Sequence, residues 1–462
     1  MTLALDTVDA AVPAPTPSPA PAVPAVVGAD LPVPLVTGGR IGYANLDHAA
    51  SAPCLAAARA AVDEFLPWYA SVHRGAGFAS RVSTAAHTEA RDAVHRFVGA
   101  RRGDTVVFTR NTTDALNLLA RAVPRHTAVV LFDTDHHAAL LPWRGPHVHR
   151  VPTPTDPLAA VAAADAALAA CPTGPRLLVV TGASNVTGEL FPVAALAAVA
   201  RRHGARVALD AAQLAPHRPV SLRELDVDYV ALSGHKLYAP FGAGALVGRA
   251  DWLRAAPPYL VGGGASALVE RRGDGLGVAW HAGPERHEAG SPNTVGVHAL
   301  GVACAELAAH WPAVIAHERR LLDRLRRGLA AVPGLTQLSL FEGSQVDRVG
   351  TVSFVLDGVD PGWLAAVLSA EYGIGVRDGA FCAHVATRRL VARAGQPAGP
   401  AVRASLGLGT TAEHVDRLVR ALRRVVARGA AWTYAREDGR WVPSPDPRPL
   451  PPFLGDGPGR PG

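Results

Sequence analysis

Between about residue 40 and residue 430, short apolar runs alternate with helical patterns. This alternation narrows the possible folds more than any other feature of the chain. The runs are "TVVFT" (105–109), "AVVLF" (128–132), "RLLVVTG" (176–182), "RVALD" (206–210), "DYVALSG" (228–234) and "GALVG" (244–248). Each is short and apolar without polar alternation, the pattern of strands covered on both faces. Between them lie helix-like segments: "NTTDALNLLARAV" opens on cap residues and "DPLAAVAAADAALAAC" is rich in alanine. Such alternation implies an α/β fold with a mainly parallel sheet flanked by helices. Ligands of these sheets gather beyond the carboxyl ends of the strands.

The pattern changes after about residue 300. A long helical stretch ("ALGVACAELAAHWPAVIAHERRLLDRLRRGLAAV") is followed by "VGTVSFVL", a helix, "IGVRDG", "VRASLGLGTT" and a last helix, "AEHVDRLVRALRRVVARGA". We therefore expect a large α/β domain over 39–295, whose N-terminal segment can pack on the small domain, and a smaller α+β domain over 296–430. A chain of 462 residues has room for both. Residues 1–38 (Pro/Ala-rich) and 431–462 (Pro/Gly-rich) read as tails outside the fold.

Composition excludes several classes. Basic residues (45) nearly balance acidic ones (39), and no basic run is interleaved with aromatics, so nucleic acid is not an expected partner. Cys54, Cys171, Cys304 and Cys382 are scattered without CxxC spacing, so neither a zinc site nor a disulfide framework is expected. A reducing cytoplasm fits this usage. No long apolar stretch is free of polar interruption, so no membrane span is expected, and the N-terminus lacks the basic start of a secretory signal.

Against this background "SGHKLYAPFG" (233–242) stands out, because Lys236 is the only lysine in the chain and every other basic residue of the 45 is arginine. Arginine carries the same charge but does not readily deprotonate; a lysine amine can, and can then attack a carbonyl. Polar groups collect at the other strand ends as well. "FTRNTTDALN" sets Asn111, Thr112 and Thr113 at a strand-to-helix junction, which suits a phosphate or is an ordinary helix cap. "FDTDHHAALLPW" sets His136 and His137 after a strand. With no obvious third metal ligand, a stacking role against a flat ligand or a solvated loop is open. Ser184 and Asn185 occupy a turn. Asp210 ends a very apolar run, with Gln213 three residues on, and a carboxylate there needs a cationic partner. Ser233 and His235 flank Lys236.

A phosphate cradle, a flat ring, a carboxylate and a lysine at one sheet edge fit an aldehyde cofactor with a pyridine ring and a phosphate, namely pyridoxal 5'-phosphate. The lysine would form a Schiff base with it, and the carboxylate would keep the pyridine nitrogen protonated so that the ring acts as an electron sink.

At this point the chain resembles the class V aminotransferase fold, and within it the cysteine desulfurase/selenocysteine lyase branch. The resemblance spans roughly 40–428 and rests on "YANLDHAASAP", "SVHRGAG", "FTRNTTDALNL", "DHHAALLPW", "SNVTGELFPV", "LDAAQLAPH", "DVDYVALSGHKLYAPFGAGAL", "HEAGSPNT", "GIGVRDGAFCAH" and "VRASLGLGTT". It implies a pyridoxal-phosphate-dependent transferase of fold type I with a seven-stranded large-domain sheet. By the same resemblance Lys236 would carry the cofactor, His136 stack on its ring, Asp210 pair with the pyridine nitrogen and Gln213 with the phenolic oxygen. Thr112, Thr113, Ser233 and His235 would hold the phosphate. Ser291 would reach the phosphate of a second subunit, so a homodimer is expected. Asn185 and Arg403 would hold the substrate carboxylate, for which an arginine fork is suited. Cys382 would be the nucleophile that takes sulfur from L-cysteine, leaving L-alanine and a persulfide for a sulfur-acceptor protein.

Around Cys382 the sequence departs from the branch's usual pattern. Ala380 and Phe381 precede the cysteine where histidine is usual, and Val385–Ala386 follow His384 in place of a proline–leucine pair. Two other readings follow: a class V enzyme acting on another amino acid as aminotransferase, epimerase or C–S lyase, and a non-catalytic binding module. The lysine, aspartate and arginine set argues against the module.

Overall fold

The computed structural model describes residues 22–73, 75–343 and 346–454. Its core is a seven-stranded sheet of β1 (Asp104–Thr109), β2 (Ala128–Phe132), β3 (Val148–Val151), β4 (Arg176–Thr181), β5 (Arg206–Asp210), β6 (Tyr229–Ser233) and β7 (Gly244–Arg249). The strand order is β1-β7-β6-β5-β4-β2-β3, and only β7 runs against the others. Six strands coincide with apolar runs. The seventh, β3, reads "VHRV" at the sheet edge, where one side needs no apolar cover, and it carries no strand signal of its own.

Helices cover both faces: α1 (Ala56–Phe65), α2 (Phe78–Phe97), α3 (Thr112–Ala122), α4 (His137–Leu140), α5 (Pro157–Ala169), α6 (Val193–Arg202) and α7 (Ala250–Ala255). On one face Val107, Leu131, Val179 and Leu246 pack on Leu116 and Leu119 of α3; on the other, Val130, Val180 and Leu209 pack toward α2, α5 and α6. Burial on both faces is why these strands read as unbroken apolar runs.

The long α8 (Thr294–Ala330) leads into the second domain, with Pro312 inside it. By length and composition it could cross a membrane. Here its first half packs against α1 and α2 and its second half against α11 (Ala412–Arg428). The small sheet has the order Leu335–Gln337, Thr351–Leu356, Ala401–Ser405, Arg377–Gly379, all antiparallel. It packs with α9 (Pro361–Tyr372) and α11, and α10 (His384–Arg393) lies between its last two strands in sequence. Ala44–Asn45 adds a parallel pairing to Ile374–Gly375, so the N-terminal segment meets the small domain.

The reading of 1–38 and 431–462 as tails needs correction wherever the structure describes them. Pro32–Pro34 pairs with Arg40–Gly42, Val36 is buried, and its N–H donates to Ala370 O. At the other end Tyr434–Glu437 and Arg440–Pro443 form a hairpin. The buried Glu371 explains this docking: its carboxylate accepts from Ala431 N, Trp432 N and the Tyr434 hydroxyl, each at 3.0 Å. The prolines hid apolar residues that find cover on α9. Residues 1–21 and 455–462, the rest of the expected tails, lie outside the described residues.

The two domains are joined by a buried ion cluster. Glu318 of α8 accepts from Arg218 Nη1 at 2.6 Å and is paired with His217 Nδ1. Burial alone would raise the Glu318 carboxyl, but the charges and hydrogen bonds of His217 and Arg218 outweigh it and hold it below the usual glutamate range. Removing one member of such a cluster leaves buried charge unpaired, so Glu318→Ala should lose ~3–5 kcal/mol in urea unfolding. The depressed folded-state value makes this stabilisation fully present above the unfolded glutamate value of about 4.3. It is lost as pH falls through the folded value. The gap between wild type and variant should therefore hold down to a pH of about 4.3 and narrow below it; a gap that stays constant as pH falls further would contradict the assignment.

Candidate active site

The strand register fixes where the chemistry meets. Thr181 lies opposite Asp210, Asp210 opposite Ala231, and Ser233 opposite Gly244, which also faces Thr109. The carboxyl ends of β1, β4, β5 and β6 therefore share one edge. There they border a cavity of about 400 Å³, within the usual range for small-molecule sites. Thr112, Thr113, His136, Asn185, Asp210, Gln213, Ser233, His235, Lys236, Cys382 and Arg403 all line it. Of the residues to which the resemblance assigns a role, only Ser291 is elsewhere. It is exposed in a separate cleft with Tyr69, His73, His281 and Glu288, and its expected role belongs to a second copy of the chain.

One end of the cavity is a hydroxyl and amide cradle. Asn111 caps α3 by accepting from Asp114 N at 3.0 Å, which turns the Thr112 and Thr113 amides to the helix start. Thr112 N donates to Ser233 Oγ at 2.8 Å, and Ser233 Oγ donates to Thr112 Oγ1 at 2.9 Å. This approach of α3 to the sheet requires Gly244, since a Cβ there would lie 2.7 Å from Asn111 Cα and 2.6 Å from Leu232 O.

The floor is acidic. Asp210 is buried and accepts from Ala212 N at 3.0 Å. Burial raises its carboxyl, opposed by that hydrogen bond and by the Lys236 charge. Behind it lies Asp135, which the sequence did not single out. Its Oδ1 accepts from Thr181 Oγ1 at 2.8 Å, its buried Oδ2 has no partner, and burial pushes it up to about 8. Burial thus favours the neutral form of both carboxyls, and a cation beside Asp210 would make it the anion under the cavity. Gln213 Nε2 donates to Ala49 O at 2.8 Å and keeps a second N–H for a ligand.

Lys236 follows β6 in a turn held by its own N–H to Ser233 O at 3.2 Å. Burial brings its amine down to about 8, against the opposing pull of Asp210. His136 caps α4, its Nδ1 accepting from Ala138 N at 3.0 Å, so Nε2 bears the proton. Burial, and then the neighbouring charge of Lys236, lowers it to about 3, and it offers a neutral flat ring to the cavity. Among the described residues no His, Cys, Asp and Glu group has metal-site geometry.

The third wall comes from the small domain. Arg403 is buried; Nη1 donates to Asn185 O at 3.0 Å, Nη2 to Asp47 Oδ1 at 3.1 Å, and its buried Nε has no partner. Asn185 Nδ2 donates to Phe381 O at 2.7 Å. Asp47 and Arg403 are far apart in sequence and meet because Asp47 bridges to Ser405. Cys382 is exposed at the cavity rim, with His137 N donating to its carbonyl at 2.8 Å and the His137 and His384 rings 4.7 Å apart beside it.

These groups fit pyridoxal phosphate. The helix-start cradle suits a dianionic phosphate, and Asp210, buried and short of a cation, suits a protonated pyridine nitrogen. His136 is flat and neutral, and Lys236 is a partly deprotonated amine facing an otherwise unexplained cavity.

The family model "Aminotransferase class-V" matches residues 44–418. A cysteine desulfurase of Klebsiella pneumoniae (strain 342) is 36% identical over 413 residues, covering 86% of this chain and 97% of that protein. Among solved structures, an apo cysteine desulfurase from Thermococcus onnurineus NA1 superposes with a TM-score of 0.73 at 28% identity, over 83% of this chain and 95% of the other. The cysteine desulfurase CsdA from Escherichia coli gives 0.70 at 31% identity over the same shares.

Proposed function

The chain belongs to the class V aminotransferase family, and from that premise we propose that it is a pyridoxal-phosphate-dependent cysteine desulfurase, converting L-cysteine to L-alanine with a persulfide formed on Cys382. The observation that carries this reading is the placement of Cys382 at the rim of the same cavity that Lys236, Asp210 and Arg403 line.

When bound, the cofactor supplies an electron sink that makes the substrate's α-proton acidic. The chain's residues supply the rest. Thr112, Thr113, Ser233 and His235 would hold the phosphate end, Asp210 would keep the ring nitrogen protonated, and His136 would offer its flat ring to the cofactor. Arg403, with Asn185 beside it, takes the substrate carboxylate and so fixes which bond at the α-carbon faces Lys236. Lys236 Nζ moves the α-proton, and its low amine value suits that task near neutral pH. Cys382 attacks the substrate's sulfur as thiolate: an S–S bond forms and the C–S bond breaks. The electron pair stays with the carbon, which gains a proton and departs as alanine. A thiol reductant or an acceptor protein then removes the sulfur. The exposed rim position of Cys382 leaves the persulfide open to such an acceptor. Ser291, exposed outside this chain's own cavity, supports a homodimer in which it reaches the second phosphate.

Incubation of the holoenzyme with L-cysteine and a reductant tests this reading. Wild type should release alanine and sulfide in equal amounts, and Cys382→Ser should release neither above ~1% of the wild-type rate, since the loss of a catalytic nucleophile costs several powers of ten. Pyruvate and ammonia in place of alanine would move the reaction to elimination without a persulfide, and equal alanine from both would exclude Cys382 as the group that takes the sulfur.

A further inference from the structure

Phe381 is a wall of the cavity that the chemistry above leaves without a task. Its side chain is buried, and the Arg403 guanidinium carbon lies 4.9 Å from its ring centroid. Phe381 and Cys382 both have φ of 53°, a left-handed conformation that non-glycine residues rarely adopt. Two such residues in succession persist only where neighbours hold them. Here Asn185 Nδ2 binds the Phe381 carbonyl at 2.7 Å, His137 N binds the Cys382 carbonyl at 2.8 Å, and Ala383 N and Thr387 Oγ1 both bind the Ala380 carbonyl. The strained pair turns phenylalanine inward and leaves cysteine at the rim.

The inward ring acts on the arginine. Arg403 is held by Asn185 O and Asp47, and its Nε is buried and unpartnered. With the ring beside it, that guanidinium is dry, and a charge held out of water binds an opposite charge more strongly. We propose that Phe381 is a positioning residue that sets the affinity for the substrate's α-carboxylate by keeping Arg403 dehydrated and oriented. The inference rests on the desulfurase reading for its substrate, although its central contrast, a ligand with a carboxylate against one without, does not.

The holoenzyme is tested as wild type, Phe381→Ala, Phe381→Leu and Phe381→Tyr. Phe381→Ala should raise KM for L-cysteine ~10-fold while kcat stays within about 3-fold. Phe381→Leu, which keeps an apolar cover without a π face, should fall between, and Phe381→Tyr should restore wild-type KM. Binding of L-alanine and of ethylamine, read from the cofactor's absorbance, separates the carboxylate from the amine. L-alanine should weaken in Phe381→Ala by the same factor as KM rises, and ethylamine should not change. A fall in kcat at constant KM, or equal weakening of both amines, overturns the proposal. If wild type yields no alanine from L-cysteine the desulfurase reading fails, and the two-amine comparison still decides the role of Phe381. Should Phe381→Ala not fold, the leucine and tyrosine variants carry the same contrast.

Discussion

Lys236→Arg should abolish turnover, with kcat for L-cysteine falling by at least ~10⁴-fold, the upper contribution of a positioned acid–base group alone. Arginine keeps the charge and much of the length, so a structural cation would survive the change with little loss. A guanidinium neither deprotonates near neutral pH nor bonds covalently to an aldehyde, so both tasks assigned to Lys236 are lost together. The cradle of Thr112, Thr113 and Ser233 is untouched, and the variant should still bind pyridoxal phosphate non-covalently, with an absorbance unlike that of the wild-type adduct. In the wild-type apo protein the amine lies at about 8 because burial disfavours its charged form. Only the free amine attacks an aldehyde. Covalent uptake of the cofactor should therefore quicken with pH up to about 8 and level off above it. Uptake that is flat between pH 6 and pH 9 would contradict that value.

Asp210→Asn should produce the second large loss. The carboxylate is buried, and its own protein partner is the Ala212 amide. Burial pushes it toward neutrality unless a cation lies beside it. Without the carboxylate the ring nitrogen would lose its proton and the electron sink would weaken, so kcat should fall by ~10²–10⁴-fold, the range of a positioned acid–base group. Asparagine is nearly isosteric and accepts the same amide, so folding and cofactor content should hold while rate falls. Asp210→Glu, which keeps the charge but displaces it, should lose less than asparagine does. A kcat for Asp210→Asn within about 3-fold of wild type would show that no cation pairs with this carboxylate.

What could be read from the sequence was local. Six apolar runs mark six strands because burial on both faces leaves an unbroken pattern, whereas "VHRV" at the edge is half-solvated and silent. Lys236 was conspicuous because arginine has replaced every other lysine, and the Asn111–Thr113 cap is legible because cap chemistry is sequential. What the sequence hid depends on distant segments meeting. Asp47 meets Arg403, and Asn185 meets Phe381, through the packing of the small domain on the sheet edge, and no pattern in either segment announces it. In the sequence nothing marks Asp135 beside the more conspicuous His136 and His137. Its raised carboxyl follows from a burial that only the register of Thr181 against Asp210 reveals. The terminal segments misled for the opposite reason: proline-rich composition suggested tails, but the few apolar residues and the buried Glu371 tie both to α9.

If sulfur passes from L-cysteine to Cys382, the enzyme gains its mass during the reaction. Holoenzyme would be mixed with L-cysteine in the absence of reductant, quenched with an alkylating agent, digested and weighed. One additional sulfur is expected on the peptide carrying Cys382, formed in step with one alanine, and none on the peptides carrying Cys54, Cys171 or Cys304. Alanine appearing while the Cys382 peptide keeps its original mass would contradict that transfer.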